Sequence, residues 1–237
     1  MYARTTEAPV LLLGAAHVVD LEGPLRSTLN ERVLDGVAVE LDPERAQALM
    51  GPTPRGRARG VPVFARLWAV VQRRLGAEIG GGAPGDEMKV AVTVARERKL
   101  PVFLIDDPIR LTLLNLVRTM PFKERVQLLL SAFVGLFVPA RVVQREMDRY
   151  TDDPASFTAE IREASPTIAR VLIDDRNEHM ADRLATLRRQ GFGRLAVVVG
   201  DAHLPGLKAA LGRRGIPVEV VPFRELRRTT APSSSLS

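Results

Sequence analysis

Two segments of the chain repeat one arrangement, in which a short apolar run is followed by Gly, two further residues and His. The first runs from Leu11 to His17 and reads LLLGAAH, and the second runs from Val197 to His203 and reads VVVGDAH. A glycine lets the backbone turn as it leaves a strand, so each imidazole is expected in a loop above the sheet edge. His179, the third histidine of the chain, lies apart from this pattern in a charged helical stretch.

Carboxylates follow other apolar runs in the same way. Glu40 directly ends one run, and Asp106 and Asp107 end another. Ligands of an open parallel sheet bind outside the carboxyl ends of its strands, so these acids and the two strand-end histidines are expected at one rim.

Imidazole and carboxylate together suit two kinds of chemistry. They are the ligand set of Zn, Mn, Co or Fe(II) sites, where the metal can lower the pKa of bound water to about 7. They also suit a metal-free site, in which one histidine is the general base and a carboxylate orients it. The residues leave both possibilities open.

The elements that must position these residues form an alternating pattern. Short apolar runs, typical of strands buried on both faces, alternate with stretches of helical spacing, which predicts an α/β fold with a central, largely parallel β-sheet flanked by helices. Asp42 and Pro43 predict a capped helix start, and Gly191 and Gly215 predict helix ends. The predicted strands are Val10–Leu13, Gly36–Val39, Pro101–Ile105, Leu195–Val199 and Pro217–Val221.

The pattern predicts one domain over residues 1–230. The alternation of strands and helices is interrupted at about 108–165. This stretch has helical spacing throughout and is expected to be a helical insertion on the sheet. Residues 231–237 are Ser-rich and are expected to be a disordered tail.

Composition excludes several classes of protein. The 237 residues carry a net charge of +6, but the basic residues are spread along the chain and aromatic residues make up only 5%, which argues against nucleic-acid binding. The absence of Cys excludes disulfides, thiolate zinc sites and a Cys nucleophile. The most apolar stretch, Val126–Val138, is shorter than the roughly 20 residues of a spanning helix, and no signal peptide is convincing. We therefore expect no transmembrane segment and a cytoplasmic location.

Six landmarks in fixed order make the chain resemble the TraB family, the pheromone-shutdown proteins. That family is similar to the Tiki metalloproteases and, more remotely, to the erythromycin esterases and the haem-binding ChaN-like proteins. The resemblance covers roughly residues 8–222. The landmarks are GAAH at 14–17, VELD at 39–42, PGDEM at 84–88, LIDDPI at 104–109, DRNEHM at 175–180 and VVGDAHLPG at 198–206.

The resemblance implies a peptidase-type hydrolase that uses a divalent metal ion, with Mn, Co or Zn as candidates. His17, Glu40 and His203 would be the metal ligands, and the two histidines would also take part in catalysis. Glu87 would be the general base or a supporting acid. Arg176 would clamp a substrate carboxylate or an oxyanion. The expected substrate is a peptide or another small amide or ester.

A departure from the family pattern favours a second hypothesis. Asn177 stands where the family carries an acid, and an amide cannot ionise. The alternative function is therefore a non-catalytic module that binds and sequesters a peptide or small ligand. The apolar stretch at 128–138 of the helical insertion also suggests contact with a partner, with a homodimer as one form.

Overall fold

The computed structural model describes residues 8–15, 22–51, 86–135 and 154–228. Within these ranges five strands form one parallel sheet, and its order is β3-β2-β4-β1-β5 once the strands are numbered along the chain. The strands are β1 Val10–Ala15, β2 Gly36–Val39, β3 Val102–Leu104, β4 Leu195–Gly200 and β5 Val218–Val221. The predicted α/β class and the five predicted strands are confirmed.

Helices lie between the strands in the order that the sequence predicts. They are α1 Glu22–Glu31, α2 Pro43–Met50, α3 Asp86–Glu97, α4 Ile109–Thr119, α5 Phe122–Gly135, α6 Pro154–Ala164, α7 Pro166–Ala169, α8 Asp175–Arg189, α9 Leu204–Arg213 and α10 Phe223–Arg228. A π-helical turn, Arg170–Asp174, joins α7 to α8, and a 3-10 turn, Asp201–His203, joins β4 to α9. Gly191 and Gly215, with φ of 99° and 68°, follow α8 and α9 as the predicted helix ends.

Both faces of the sheet are covered by apolar side chains. Successive residues of a strand point to opposite faces. Leu11 and Leu13 accordingly pack with side chains of α1, α3 and α10. Val10 and Leu12 pack on the other face with side chains of α8 and α9. All four are buried, which explains why the runs are continuously apolar rather than alternating.

The two strands that carry the repeated motif are neighbours, but their glycines differ. Gly200 is the last residue of β4 and the 3-10 turn begins directly after it, whereas Gly14 lies inside β1 and pairs with Val199. A Cβ on Gly14 would lie 1.7 Å from Asp201 Oδ1. The expected turn therefore follows Gly200, whereas at Gly14 the expectation is wrong, because the glycine allows the close approach of Asp201 inside the strand.

The predicted helical insertion is helical where it is described. Its described residues form α4, α5 and α6 and contain no strand, whereas residues 136–153 lie outside the described part. Phe122, Val126 and Leu130 stay exposed at a spacing of four residues on α5. Among the described helices, we find none with the length and hydropathy to cross a bilayer. The predicted domain boundaries and homodimer stay predictions.

Asp42 begins α2 and is fully buried. Its Oδ1 accepts hydrogen bonds from the backbone N–H groups of Glu44, at 2.8 Å, and Arg45, at 3.0 Å. Pro43 occupies the first helical position, so the predicted capped start is confirmed. Asp42 Oδ2 lies 3.4 Å from the backbone N–H of Ile109, at the start of α4. One carboxylate thus ties the segment after β2 to the segment after β3.

We expect Asp42→Ala to lower the free energy of unfolding by about 2 kcal/mol, because a helix cap and a buried acceptor are lost together. Urea denaturation followed by circular dichroism measures this difference. Glu44→Ala changes an exposed residue of the same helix turn and is expected to cost less than about 1 kcal/mol. Equal stability of the two variants would contradict the capping role of Asp42.

Candidate functional site

Four charged or polar side chains meet at the carboxyl edge of the sheet. Glu40 directly follows β2, Asp106 follows β3 by two residues, and His203 ends the 3-10 turn after β4. These three strands are adjacent in the sheet, so their ends bring the side chains together. Arg176, in the first turn of α8, reaches the same place from one face of the sheet.

Arg176 directs its whole guanidinium group to partners in the protein. Nε donates to Asp106 Oδ1 at 2.9 Å and Nη2 donates to Asp106 Oδ2 at 2.7 Å, which is a fork on one carboxylate. Nη2 also donates to Glu40 Oε1. Nη1 donates to the Leu172 carbonyl at 3.2 Å and lies 3.2 Å from His203 Nε2. Because these contacts match the group's five N–H bonds, this arrangement leaves none for a substrate.

Glu40 is held as a buried carboxylate. Its Oε2 accepts the backbone N–H of Gly200 at 2.7 Å, and its Oε1 contacts Arg176 and lies 3.3 Å from His203 Nε2. Burial alone would raise the pKa of Glu40. When His203 is protonated, its charge and its hydrogen bond to Glu40 act together with the charge of Arg176 and the hydrogen bond from Gly200. These contributions outweigh burial and hold that pKa well below its usual range.

Charge is balanced across the network by two arginines. Burial would lower the pKa of Arg176, but the carboxylates of Glu40 and Asp106 raise it, so the guanidinium stays charged. Two carboxylates against one cation leave one excess negative charge. Arg45, which is partly exposed at the edge, supplies the second cation through Nη1, 3.2 Å from Asp106 Oδ2.

Asn177 fixes the imidazole of His203 from the other side. Asn177 Oδ1 lies 2.9 Å from His203 Nδ1, and an amide oxygen can only accept, so Nδ1 carries the proton in this contact. His203 Nε2 is then the nitrogen that faces Glu40 and Arg176. Both residues of the pair are buried, with 2% of Asn177 and 5% of His203 exposed. The imidazole therefore has two chemically distinct ends.

Gly206 makes room for the Asn177 amide. A Cβ at position 206 would lie 2.1 Å from Asn177 Nδ2. That nitrogen is buried and makes no hydrogen bond within the part of the chain that the structure describes. Packing against the α9 backbone therefore holds the amide with its oxygen toward His203.

The π-helical turn sets the position of Arg176. Within it the backbone N–H of Asp175 bonds to the carbonyl of Arg170, five residues back instead of four. Wider turns of this kind recur at functional sites. Here the Leu172 carbonyl of the turn receives Arg176 Nη1. The turn thus supplies a backbone acceptor to the charged network.

A cleft of about 160 Å³ adjoins the network between α4 and the start of α8. Arg176 forms part of its wall, which connects the cleft to the contacts around His203. The other lining residues combine two acids, two apolar side chains, a hydroxyl and an amide: Asp107, Asp175, Leu111, Val171, Thr112 and Asn115.

The donor atoms show how a metal ion would fit. Glu40 Oε1 and His203 Nε2 are 3.3 Å apart, matching the separation of about 3.3 Å for two ligands of a tetrahedral ion with bonds of 2.0–2.1 Å. Both atoms contact Arg176, however, so an ion there would meet the guanidinium charge. The described residues do not fit a metal ion while Arg176 keeps this place. No group of three or more acidic or His side chains in the described ranges is arranged to bind one.

The structure brings together some of the site residues predicted from the sequence and not others. Glu40, Arg176 and His203 are brought together, whereas His17 lies outside the described residues, so its role and the metal ion stay predictions. Glu87 is buried in the first turn of α3, a helix that packs on the face of the sheet opposite α8. Its role as base or supporting acid stays a prediction. Asp107 lines the adjoining cleft, and its carboxylate pairs with His179 at 3.2 Å.

Sequence reasoning missed the part played by Asn177. It treated the amide only as a lost acid, whereas the amide oxygen holds His203 Nδ1. The available signal was the Gly at position 206, three residues after His203 in a helix start, because glycine there permits close approach of another chain segment.

We expect Gly206→Ala to displace the Asn177 amide and lower the free energy of unfolding by about 1–3 kcal/mol, because the new methyl group overlaps Asn177 Nδ2. Imidazole nitrogen chemical shifts in NMR spectra would report the lost bond at His203 Nδ1. Gly212→Ala in the same helix meets nothing within 4 Å and is expected to stabilise by up to about 1 kcal/mol. Unchanged His203 signals in the position-206 variant would contradict the packing argument.

Acidification is expected to remove the stabilisation that comes from Glu40. Its pKa is lower in the folded chain than the usual 4.5, so the folded state binds fewer protons than the unfolded state. The stabilisation is therefore complete above pH 4.5 and is lost as pH falls toward the folded-state pKa. Urea denaturation at a series of pH values should show wild type more stable than Glu40→Gln at pH 7, with the gap narrowing below pH 4.5.

Glu163→Gln is the control for this series, because Glu163 is an exposed carboxylate on α6. Its difference from wild type should stay small and flat over the same pH range. If the difference in free energy of unfolding between wild type and Glu40→Gln does not change as the pH falls below 4.5, the stabilisation does not depend on the ionisation of Glu40.

Comparison with known proteins shows the family of the chain. A sequence profile of the TraB/PrgY/gumN family matches residues 3–220. The chain is 30% identical over 212 residues to "Uncharacterized protein MJ1365" of Methanocaldococcus jannaschii. The match covers 85% of this chain and 53% of that protein, so the chain spans about half the length of this curated relative. The chain belongs to the TraB/PrgY/gumN family, as its ordered sequence landmarks predict.

Proposed function

We propose that the carboxyl edge of the sheet is a hydrolase site for peptides or other small amides, with His203 as its general base. The observation that carries this proposal is the buried imidazole held between two different partners. Asn177 accepts from Nδ1 at 2.9 Å, and Nε2 faces Arg176 at 3.2 Å. In the neutral imidazole, a proton on Nδ1 leaves the Nε2 lone pair as the proton acceptor.

The cost of the network supports a functional rather than a purely structural role. Burying two carboxylates and a guanidinium costs more than their attraction returns in many proteins, so such groups are weak determinants of stability. Strong perturbation of ionisable groups beside a cleft is typical of functional sites. Glu40 and Arg176 combine both properties.

The proposed step is the hydrolysis of an amide bond. A water molecule replaces Arg176 at His203 Nε2, and Arg176 Nη1 keeps its bond to the Leu172 carbonyl. His203 takes one proton of the water as the oxygen bonds to the carbonyl carbon. The C–N bond then breaks, and the imidazolium returns the proton to the leaving amine. Arg176, itself fixed by Asp106, acts as a positioning residue that holds Glu40 beside the imidazole.

A metal-dependent form of this site is the second version of the hydrolase. The separation of 3.3 Å between Glu40 Oε1 and His203 Nε2 favours it. In that form His17, Glu40 and His203 would hold Mn, Co or Zn, and the ion would activate water and polarise the carbonyl. Arg176 would first have to leave both donor atoms. The metal-free form needs no such rearrangement.

A sequestering module is the other candidate function. The complete saturation of Arg176 by protein groups favours it, because a stable charged network can shape a binding surface without turnover. On this proposal His203 supports the fold of the rim, and peptide or small-ligand binding has no chemical consequence.

His203→Gln is expected to lower amide turnover by at least about 100-fold, because proton transfer is lost while much of the side-chain volume remains. The assay incubates the full chain with a mixed peptide library and detects new termini by mass spectrometry. Parallel reactions contain a chelator or added Mn, Co or Zn. Turnover that survives the chelator supports the metal-free form, and turnover that requires an ion supports the metal-dependent form.

His179→Gln is the matched imidazole control, because His179 lies on the surface side of α8 and contacts Asp107 instead of the network. It is expected to retain most of the turnover. Peptide binding with no new termini under any metal condition would overturn the hydrolase and leave the sequestering module.

A further inference from the structure

We propose that the cleft between α4 and the start of α8 is a subsite for a primary ammonium group of the substrate. The proposal rests on the hydrolase site described above and adds the chemistry of the group bound beside it. An ammonium group can come from the amino terminus of a peptide or from a lysine side chain, and both present three N–H donors.

The cleft lies where a substrate bound at the network would extend. Arg176 belongs both to the wall of the cleft and to the contacts of His203. The cleft is small, at about 160 Å³, so it suits a single side chain or a chain terminus. Leu111 and Val171 give its wall an apolar part for the carbon atoms of such a group.

The charges around the cleft favour a cation. The positive charge of Arg176 is already matched by Glu40 and Asp106, and its N–H bonds are directed to protein acceptors. Asp175 lines the cleft and has no ion pair among the described residues. Asp107 also lines the cleft, and its contact with the half-exposed His179 is at the surface. The excess charge that faces the cleft is therefore negative.

Thr112 supplies a second, independent indication of a ligand. This residue is only 8% exposed and lines the cleft. Its backbone N–H bonds to the Pro108 carbonyl, but its hydroxyl has no partner in the described part of the chain. Thr112 is thus a largely buried residue whose hydroxyl is left open to a group in the cleft. An ammonium group in the cleft would donate to the hydroxyl oxygen as well as to a carboxylate.

The first experiment uses n-butylammonium as the probe and 1-butanol as its uncharged equivalent, titrated into the full chain and followed by NMR chemical shifts. We expect butylammonium to bind at least about tenfold more tightly, because only the ammonium group pairs with the acids and the hydroxyl. Equal affinity for the two probes would overturn the proposal.

Two variants test the named residues. Asp175→Asn and Thr112→Val each keep the side-chain shape and are expected to weaken butylammonium binding about fivefold, because one charge or one acceptor is lost. Glu163→Gln removes an exposed carboxylate of α6, away from the cleft lining, and should bind like wild type. If all three variants bind equally, the cleft is not the ammonium site.

Two pairs of peptides separate the sources of the ammonium group. Trialanine amide is compared with its N-acetylated form, and N-acetyl-lysine amide with N-acetyl-norleucine amide. If trialanine amide binds more tightly than its N-acetylated form, the subsite takes an amino terminus. If N-acetyl-lysine amide binds more tightly than N-acetyl-norleucine amide, the subsite takes a lysine side chain. No preference in either pair overturns the proposal.

The outcomes for the subsite and for the hydrolase can be told apart. Butylammonium has no bond to hydrolyse, so its binding to wild type and to His203→Gln is measured without turnover. Selective binding of butylammonium by a chain that cleaves no peptide would retain the subsite and reject the hydrolase. Turnover without amine selectivity would retain the hydrolase and reject the subsite.

Discussion

The bond between Arg176 and two carboxylates is the constraint on which the carboxyl edge of the sheet depends. Glu40 and Asp106 come from the ends of adjacent strands, and like charges at that spacing would repel without a cation between them. Removing one partner would leave an uncompensated charge in a buried place, which is far more costly than the pair itself is stabilising. The guanidinium therefore sets how close the carboxylates after β2 and β3 can lie. It also contacts His203 Nε2 and so helps to orient the imidazole.

The sequence predicted the fold well because its strands are buried on both faces. Continuous apolar runs are unambiguous in that setting, and the ends of parallel strands necessarily share one edge. Glu40, Asp106 and His203 could be placed together on that reasoning alone. Arg176 came instead from the family resemblance, since nothing in its local spacing shows which carboxylates it will meet. The part of the edge that would hold His17 lies outside the described residues, so the pairing of the two histidines stays a prediction.

Asn177 shows why a change of residue type is a poor guide to a lost role. An amide has no charge to offer a proton or a metal, yet its oxygen accepts from an imidazole in the same direction as a carboxylate. Whether the amide can do so depends on Gly206, which lies far along the chain and contributes only the absence of a side chain. A polar side chain that depends on the missing Cβ of a distant glycine produces no periodic pattern and no bias in composition by which the sequence could reveal it.

The π-helical turn at Arg170–Asp174 constrains which changes this chain can accept. One residue more or fewer in a helix rotates everything after it by about 100° relative to what came before. The number of residues between α7 and Arg176 is therefore more tightly constrained than their identities, since a one-residue deletion would direct the guanidinium away from both acids. We therefore expect the turn to accept substitutions more readily than changes of length. A single helical wheel drawn from α7 through α8 would also assign residues to the wrong faces, because the π-helical turn shifts the repeat between the two helices.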